Sequence, residues 1–278
     1  MSDTGDHVRP SPPDEHRRLR RLPLRTATLL LLCLLVACGR GGGGPGGATD
    51  RDAISGEVIV FAAASLTDVF ADLGATFERT HPGATVVFNF GPSSGLAASI
   101  TEGAPADVFA AADERAMDRV ADAGELDGLP VTFARNRMAM AVPPGNPGEV
   151  DGLEDLADPE RLVGLCAENV PCGHLGRMVL ADAGVRAQVD TEEPDVRALL
   201  TKIEAGDLDV GLVYRTDVQA AGTRVEGIAI ADDDNASTSY PVAVPAGSEN
   251  PGAAAAFVDL VTSAEGRRVL RRHGFGAP

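Results

Sequence analysis

The chain has 278 residues, with 24 Lys and Arg against 41 Asp and Glu, for a formal net charge of −17. Such an acidic chain lacks the basic footprint that holds a polyanion, so nucleic acid is excluded as a partner. A small anion is compatible with the charge, because donors in direct contact outweigh a distant, screened field.

The N-terminus reads as a targeting segment, not as fold. Arg17, Arg18, Arg20, Arg21 and Arg25 form a basic n-region, and Ala27 to Val36 an apolar h-region too short to span a bilayer in the usual way. It ends in Leu35-Val36-Ala37-Cys38-Gly39, the pattern of a lipoprotein signal. Residues 1–37 are therefore expected to be a signal peptide and Cys38 to be acylated, its acyl chains holding the protein on a membrane; an ordinary signal peptide is the rival. Residues 1–16 precede the basic cluster and look superfluous, which places the start codon downstream. Residues 39–54 are glycine-rich and read as a flexible tether. From Cys38 onward, 18 basic residues face 37 acidic ones, a net charge of −19. Cys166 and Cys172, with five residues between them, are expected to pair in an oxidising compartment. A metal site is the rival, but His174 is the only further ligand nearby, a poor zinc set.

The folded part alternates strand and helix. Strands are predicted at 57–63, 84–90, 107–112, 137–142, 162–166, 209–214, 226–230 and 240–244. Helices are predicted at 66–80, 94–102, 114–122, 152–156, 173–183, 195–205, 215–221 and 251–273, the last with a break near Thr262, where Thr262-Ser263-Ala264-Glu265 reads as a capping box. Asn250 followed by Pro251 marks the start of that last stretch. The alternation implies an α/β fold with mostly parallel sheets flanked by helices. Arg135–Val142 and Thr238–Val244 read as two connections between lobes. Lobe I is then 55–135 plus 238–278, and lobe II is 136–237.

Five local features look like parts of one site. Ser65 lies between the apolar run Val58–Phe61 and the helical spacing of Leu66, Val69, Phe70, Leu73 and Phe77, where an N-cap belongs. Phe90-Gly91-Pro92-Ser93-Ser94-Gly95-Leu96 places two hydroxyls at a helix start. Asn169-Val170-Pro171-Cys172-Gly173 opens another helix, with Gly173 read as allowing a ligand close to the backbone. Asp195 caps a helix whose first residue is Val196, and Tyr214 ends an apolar strand. Strand ends that feed helix N-termini leave free N–H groups, which suit an anion. Taken singly, each feature is equally a plain cap, turn or core residue. Asp107 and Asp113 read as caps, Asp232-Asp233-Asp234 as a solvated loop, and Arg267, Arg268, Arg271 and Arg272 as the polar face of the last helix.

In order, these pieces resemble the molybdate-binding proteins of ABC importers, from about Gly56 to Phe275. The specific matches are Phe61-Ala62-Ala63-Ala64-Ser65-Leu66, Gly103-Ala104-Pro105-Ala106-Asp107-Val108-Phe109, Val170-Pro171-Cys172-Gly173, Asp195-Val196-Arg197, Val213-Tyr214 and Tyr240-Pro241-Val242-Ala243-Val244. The resemblance implies a two-lobed periplasmic-binding-protein-like fold of type II with a two-strand hinge, and no enzymatic activity or cofactor. It implies that Ser65 and Ser93 bind the oxyanion by hydroxyl and amide, Cys172 and Val196 by main-chain N–H, and Tyr214 by its hydroxyl. Relatives carry alanine where this chain has Cys172, and some carry serine where it has Pro92, which leaves Ser93 against Ser94 open. Molybdate and tungstate are fully ionised tetrahedral dianions and need only donors, and every nominated group is a neutral donor. Sulfate or phosphate in the same kind of receptor is the first rival. A secreted hydrolase is the second, disfavoured because a serine nucleophile needs a nearby base and the histidines of the folded region have no obvious role. The implied setting is extracytoplasmic: a monomer, lipid-anchored, that hands its ligand to an ABC permease.

Overall fold

A computed structural model describes residues 54–278. The signal segment, Cys38 and the glycine-rich tether up to residue 53 lie outside the described residues.

The elements run β1 (Ser55–Ala63), α1 (Thr67–Thr80), β2 (Gly83–Gly91), α2 (Ser93–Thr101), β3 (Val108–Ala110), α3 (Glu114–Asp122), β4 (Leu126–Val142), β5 (Val163–Cys166), α4 (Pro171–Asp182), β6 (Val189–Glu193), α5 (Val196–Ala205), β7 (Val210–Tyr214), α6 (Arg215–Ala221), β8 (Glu226–Ile228), β9 (Ser237–Pro245), α7 (Pro251–Thr262) and α8 (Ala264–Arg272). The strands order as β2-β1-β3-β9-β4-β7-β5-β6, with β8 also on β4. β1 pairs parallel with β2 and β3, and β5 parallel with β6 and β7. Every pairing of β4 and β9 is antiparallel. β2-β1-β3 on one side and β6-β5-β7 on the other run parallel, as the alternation implied, while β4 and β9, which join the two sides, each run back against the strands they meet.

β4 carries the continuity. Its residues from Leu126 to Arg137 pair with β9, and its residues from Met138 to Val142 pair with β7 and β8. The aromatic side chains are divided by the same strand. Phe70, Phe77, Phe88, Phe133 and Phe257 pack edge to face or tilted on the β1 side. Residues 136–237 contain no Phe, and their core is aliphatic, built on Met138, Met140, Leu165, Val179, Leu199, Ile203 and Leu212 around the single ring of Tyr214.

Several local expectations change. The segment at 152–156 is a 3-10 turn, Leu153–Ala157. The α8 cap is Ser263, whose Oγ accepts from Gly266 N at 3.0 Å, not Thr262, whose hydroxyl turns back to Val258 O. Ser263 wins because α7 runs through Thr262, leaving the next residue as the first extended one. Asp113 does cap α3, through Ala116 N. Asp107 instead ties three segments, accepting from Ile59 N, Ser248 Oγ and Asn250 N. Among the described residues, no helix is long and apolar enough to cross a membrane.

Candidate functional site

Ligands in open α/β sheets bind beyond the carboxyl ends of strands, where the chain direction of neighbouring connections reverses. Here β1, β2, β5, β6 and β7 all lead from their C-terminal ends to one place. A cavity of about 20 Å³ is lined there by Ala63, Ala64, Ser65, Gly91, Pro92, Ser93, Ala112, Val170, Pro171, Cys172, Asp195, Val196 and Tyr214. All five nominated residues are among them. Ser93 lines the cavity and Ser94 does not. The volume is on the scale of one or two waters, room for a compact ligand only. A far larger groove of about 460 Å³ lies at Arg135, Arg137 and Arg215, but it gathers none of the nominated donors.

The helices aim their starts at this cavity. Ser93 is the first residue of α2, Cys172 the second of α4 and Val196 the first of α5. First-turn N–H groups have no partner inside their helix and sit at the positive end of its dipole. Asp195 Oδ1 accepts from Arg197 N at 2.8 Å and Ala198 N at 3.0 Å. That cap occupies the carboxylate and leaves the Val196 N–H free.

The hydroxyls are ordered by their neighbours. Ser93 is 1% exposed, and its Oγ accepts from Ala112 N at 3.0 Å, so its own proton is free for the cavity. Tyr214 is 1% exposed, and its Oη has no hydrogen-bond partner among the described residues. Burial, with Tyr240 and two aspartates nearby, pushes its phenol further up from the ordinary tyrosine range, so it remains a donor. Ser65 differs from expectation. It sits inside a 3-10 turn, Ala64–Leu66, and caps nothing; its Oγ lies 2.9 Å from Tyr240 Oη. The small residues Ala63 and Ala64 let the chain tighten there, one turn before α1.

Gly173 also has another role than expected. A Cβ there would fall 1.9 Å from Ala167 O, so the glycine serves the packing of α4 against the preceding loop, not the approach of a ligand. Cys166 and Cys172 are disulfide-bonded across this loop, with Cα atoms 5.8 Å apart. Closing so short a loop restricts the unfolded chain by about 2 kcal/mol. The double variant Cys166→Ala, Cys172→Ala should lose that much in denaturant unfolding, and added reductant should then change its midpoint no further.

Sequence reasoning passed over four polar groups around the cavity. Tyr240, Asn136, Thr216 and Asp217 are all buried. Asn136 Nδ2 reaches Thr216 Oγ1 at 2.8 Å and Tyr240 Oη at 3.3 Å. Asp217 Oδ2 accepts from Tyr214 N at 3.1 Å, while its Oδ1 has no hydrogen-bond partner among the described residues and lies 3.8 Å from Arg197 Nε. Arg197, on α5, also points Nε at Ala64 O (3.4 Å) and pairs with Asp68 on α1. Asn136 lies between Arg135 and Arg137, and Asp217 follows Arg215 and Thr216 at a helix start, so each reads as an ordinary polar position and gives no local signal.

A family model described as bacterial extracellular solute-binding protein matches residues 58–276. The molybdate-binding protein ModA of Mycobacterium tuberculosis is 38% identical over 251 residues, covering 90% of this chain and 95% of that protein. Among solved structures, the periplasmic molybdate-binding protein of Azotobacter vinelandii aligns with a TM-score of 0.72 at 20% identity, over 80% of this chain and 99% of that one. The sulfate-binding protein SubI of Mycobacterium tuberculosis aligns at 0.69 and 20% identity, over 79% and 86%. At those identities the two structures speak to the fold alone.

Proposed function

The chain belongs to the bacterial extracellular solute-binding protein family, and from that premise we propose that it captures molybdate, and tungstate with it, outside the cytoplasmic membrane. Ser65, Ser93 and Tyr214 hold the oxyanion by hydroxyls, and Ser65, Ser93, Cys172 and Val196 by main-chain N–H groups. The observation that carries this reading is the composition of the cavity wall: donors from five strand ends, no Lys or Arg, and a single carboxylate already engaged as a helix cap. A dianion without a proton is satisfied by such a wall, since hydrogen bonds to a charged acceptor are the strong ones. Hydrogen phosphate would leave its proton without an acceptor. No step of chemistry on the ligand is involved, and the protein is not an enzyme.

In this reading, residues 55–135 plus 238–278 form one lobe and 136–237 the other. They open and close about β4 and β9, and closure buries the anion. The monomer is held on the membrane by an acylated Cys38, and the closed form is what an ABC permease accepts.

A thermal-shift and calorimetric screen against molybdate, tungstate, sulfate and phosphate tests the reading. Molybdate should bind tightest or level with tungstate; tighter binding of sulfate or phosphate overturns it. Ser93→Ala should weaken molybdate binding by about 1.5–3 kcal/mol and, because it leaves the buried Ala112 N–H unpaired, also lower the melting temperature, whereas Tyr214→Phe should weaken binding somewhat less with the melting temperature little changed. Unchanged affinity in both would move the site elsewhere.

A further inference from the structure

Beneath the cavity runs a chain of buried hydrogen bonds that anion capture, as described so far, does not use. It passes from Ser65 to Tyr240 on β9, to Asn136 on β4, to Thr216 at the start of α6, with separations of 2.9, 3.3 and 2.8 Å. Tyr240 is 0% exposed and fixed on three sides by edge-to-face rings, Phe133, Tyr214 and Phe275.

The direction of each bond follows from which groups can only donate. Arg137 N–H can only donate, and it lies 3.0 Å from Asn136 Oδ1. The amide oxygen therefore faces Arg137, and Nδ2 faces Thr216 and Tyr240. Nδ2 has no lone pair to offer, so Tyr240 Oη accepts from it. Burial raises the Tyr240 phenol above its ordinary range, which keeps its proton in place. The acceptor at hydrogen-bond distance for that proton is Ser65 Oγ, 2.9 Å away. With its oxygen so engaged, Ser65 directs its own proton away from Tyr240, toward the cavity it lines.

We infer that Asn136 and Tyr240 are positioning residues that fix Ser65 as a donor toward the bound anion. The inference rests on the proposed capture of a fully deprotonated oxyanion. It adds that the donor-only character of the wall is set from behind, by an amide and a phenol that touch no ligand. Ser93 reaches the same state independently, through Ala112 N–H. Two serines, each able to donate or accept in isolation, are thus both committed to donate before any anion arrives. A hydroxyl that need not reorient on binding loses less freedom when it does bind.

The test is a double-mutant cycle read by calorimetry with sodium molybdate. Tyr240→Phe keeps the ring and its packing and removes only the hydroxyl. Alone it should weaken molybdate binding about tenfold, the scale of one hydrogen bond. In a Ser65→Ala background it should change affinity less than about twofold, because the proton it orients is gone. In a Ser93→Ala background its effect should return in full, which general loosening of the site would not produce. Asn136→Leu, which leaves Tyr240 free to accept from Ser65, should follow the same pattern and serves if Tyr240→Phe does not fold. Wild-type affinity in Tyr240→Phe, or effects that add with Ser65→Ala, overturns the inference while leaving molybdate capture intact. Wild-type protein that ignores molybdate overturns the proposed function, and this inference with it.

Discussion

Gly173→Ala is expected to cost about 3 kcal/mol or more of folding stability and to remove tight anion binding with it. The added methyl would sit 1.9 Å from Ala167 O and 2.6 Å from Cys166 O, both backbone atoms. A flexible side chain could swing away; these carbonyls are held. Ala167 N–H donates to Glu193 O at 2.8 Å, and Cys166 ends β5 and is bonded to Cys172, the residue before the substitution. The helix start and the loop are therefore tied together at the point where they would have to separate. Relief must come from shifting the first turn of α4, which carries the Cys172 N–H that faces the cavity. Glycine is required here for space, not for its backbone angles. Denaturant unfolding of the variant, alongside molybdate titration of whatever remains folded, checks this; a midpoint near wild type would show that α4 can slide after all.

The same contact shows where sequence reading stops. Strand-turn-helix junctions are local, so Ser65, Ser93, Cys172, Val196 and Tyr214 could be picked out from apolar runs, small-residue turns and helix starts. Their meeting in one cavity was carried by resemblance, not by periodicity. Partners made by long excursions of the chain leave no local trace: Asn136 meets Tyr240 across 104 residues, and Ser65 meets it across 175. The first half of β4 was hidden for another reason. Gly128 and Pro130 interrupt it, and its pairing with β9 shifts register between Asp127 and Val131 and again between Thr132 and Ala134, so no alternation survives to be read. β6 was missed because it is a sheet edge, largely exposed and rich in acidic residues, Val189-Asp190-Thr191-Glu192-Glu193. Ser65 was assigned to the wrong local job because an N-cap is what its position favours. A tyrosine from β9 claimed its hydroxyl first.

Asp217→Asn should make the protein more stable, and increasingly so as the pH rises. Asp217 is 1% exposed, and burial pushes its carboxyl up to about 7 from an ordinary value of 3.8, against the partial compensation of Arg197 and the Tyr214 N–H. The folded state thus holds this proton more tightly than the unfolded state does. Below about pH 4 both states are protonated and the group costs nothing. As the pH rises from there to about 7, the unfolded carboxyl ionises first and stability falls; above 7 the full cost remains, on the order of 4 kcal/mol. Asparagine resembles the neutral acid: its amide oxygen can still accept from Tyr214 N–H, and nothing in it ionises. The gap between variant and wild type in denaturant unfolding should therefore be small near pH 4 and approach its maximum near pH 8. The variant should also show a flatter stability profile between those limits. Arg197 sets the opposing pull, since it stands 3.8 Å from Asp217 while also bound to Asp68 and Ala64 O. A wild type whose stability climbs over the same interval would mean that Arg197 keeps Asp217 ionised in the fold. In that case the asparagine would destabilise, because it would remove the buried one of the two carboxylates that Arg197 faces.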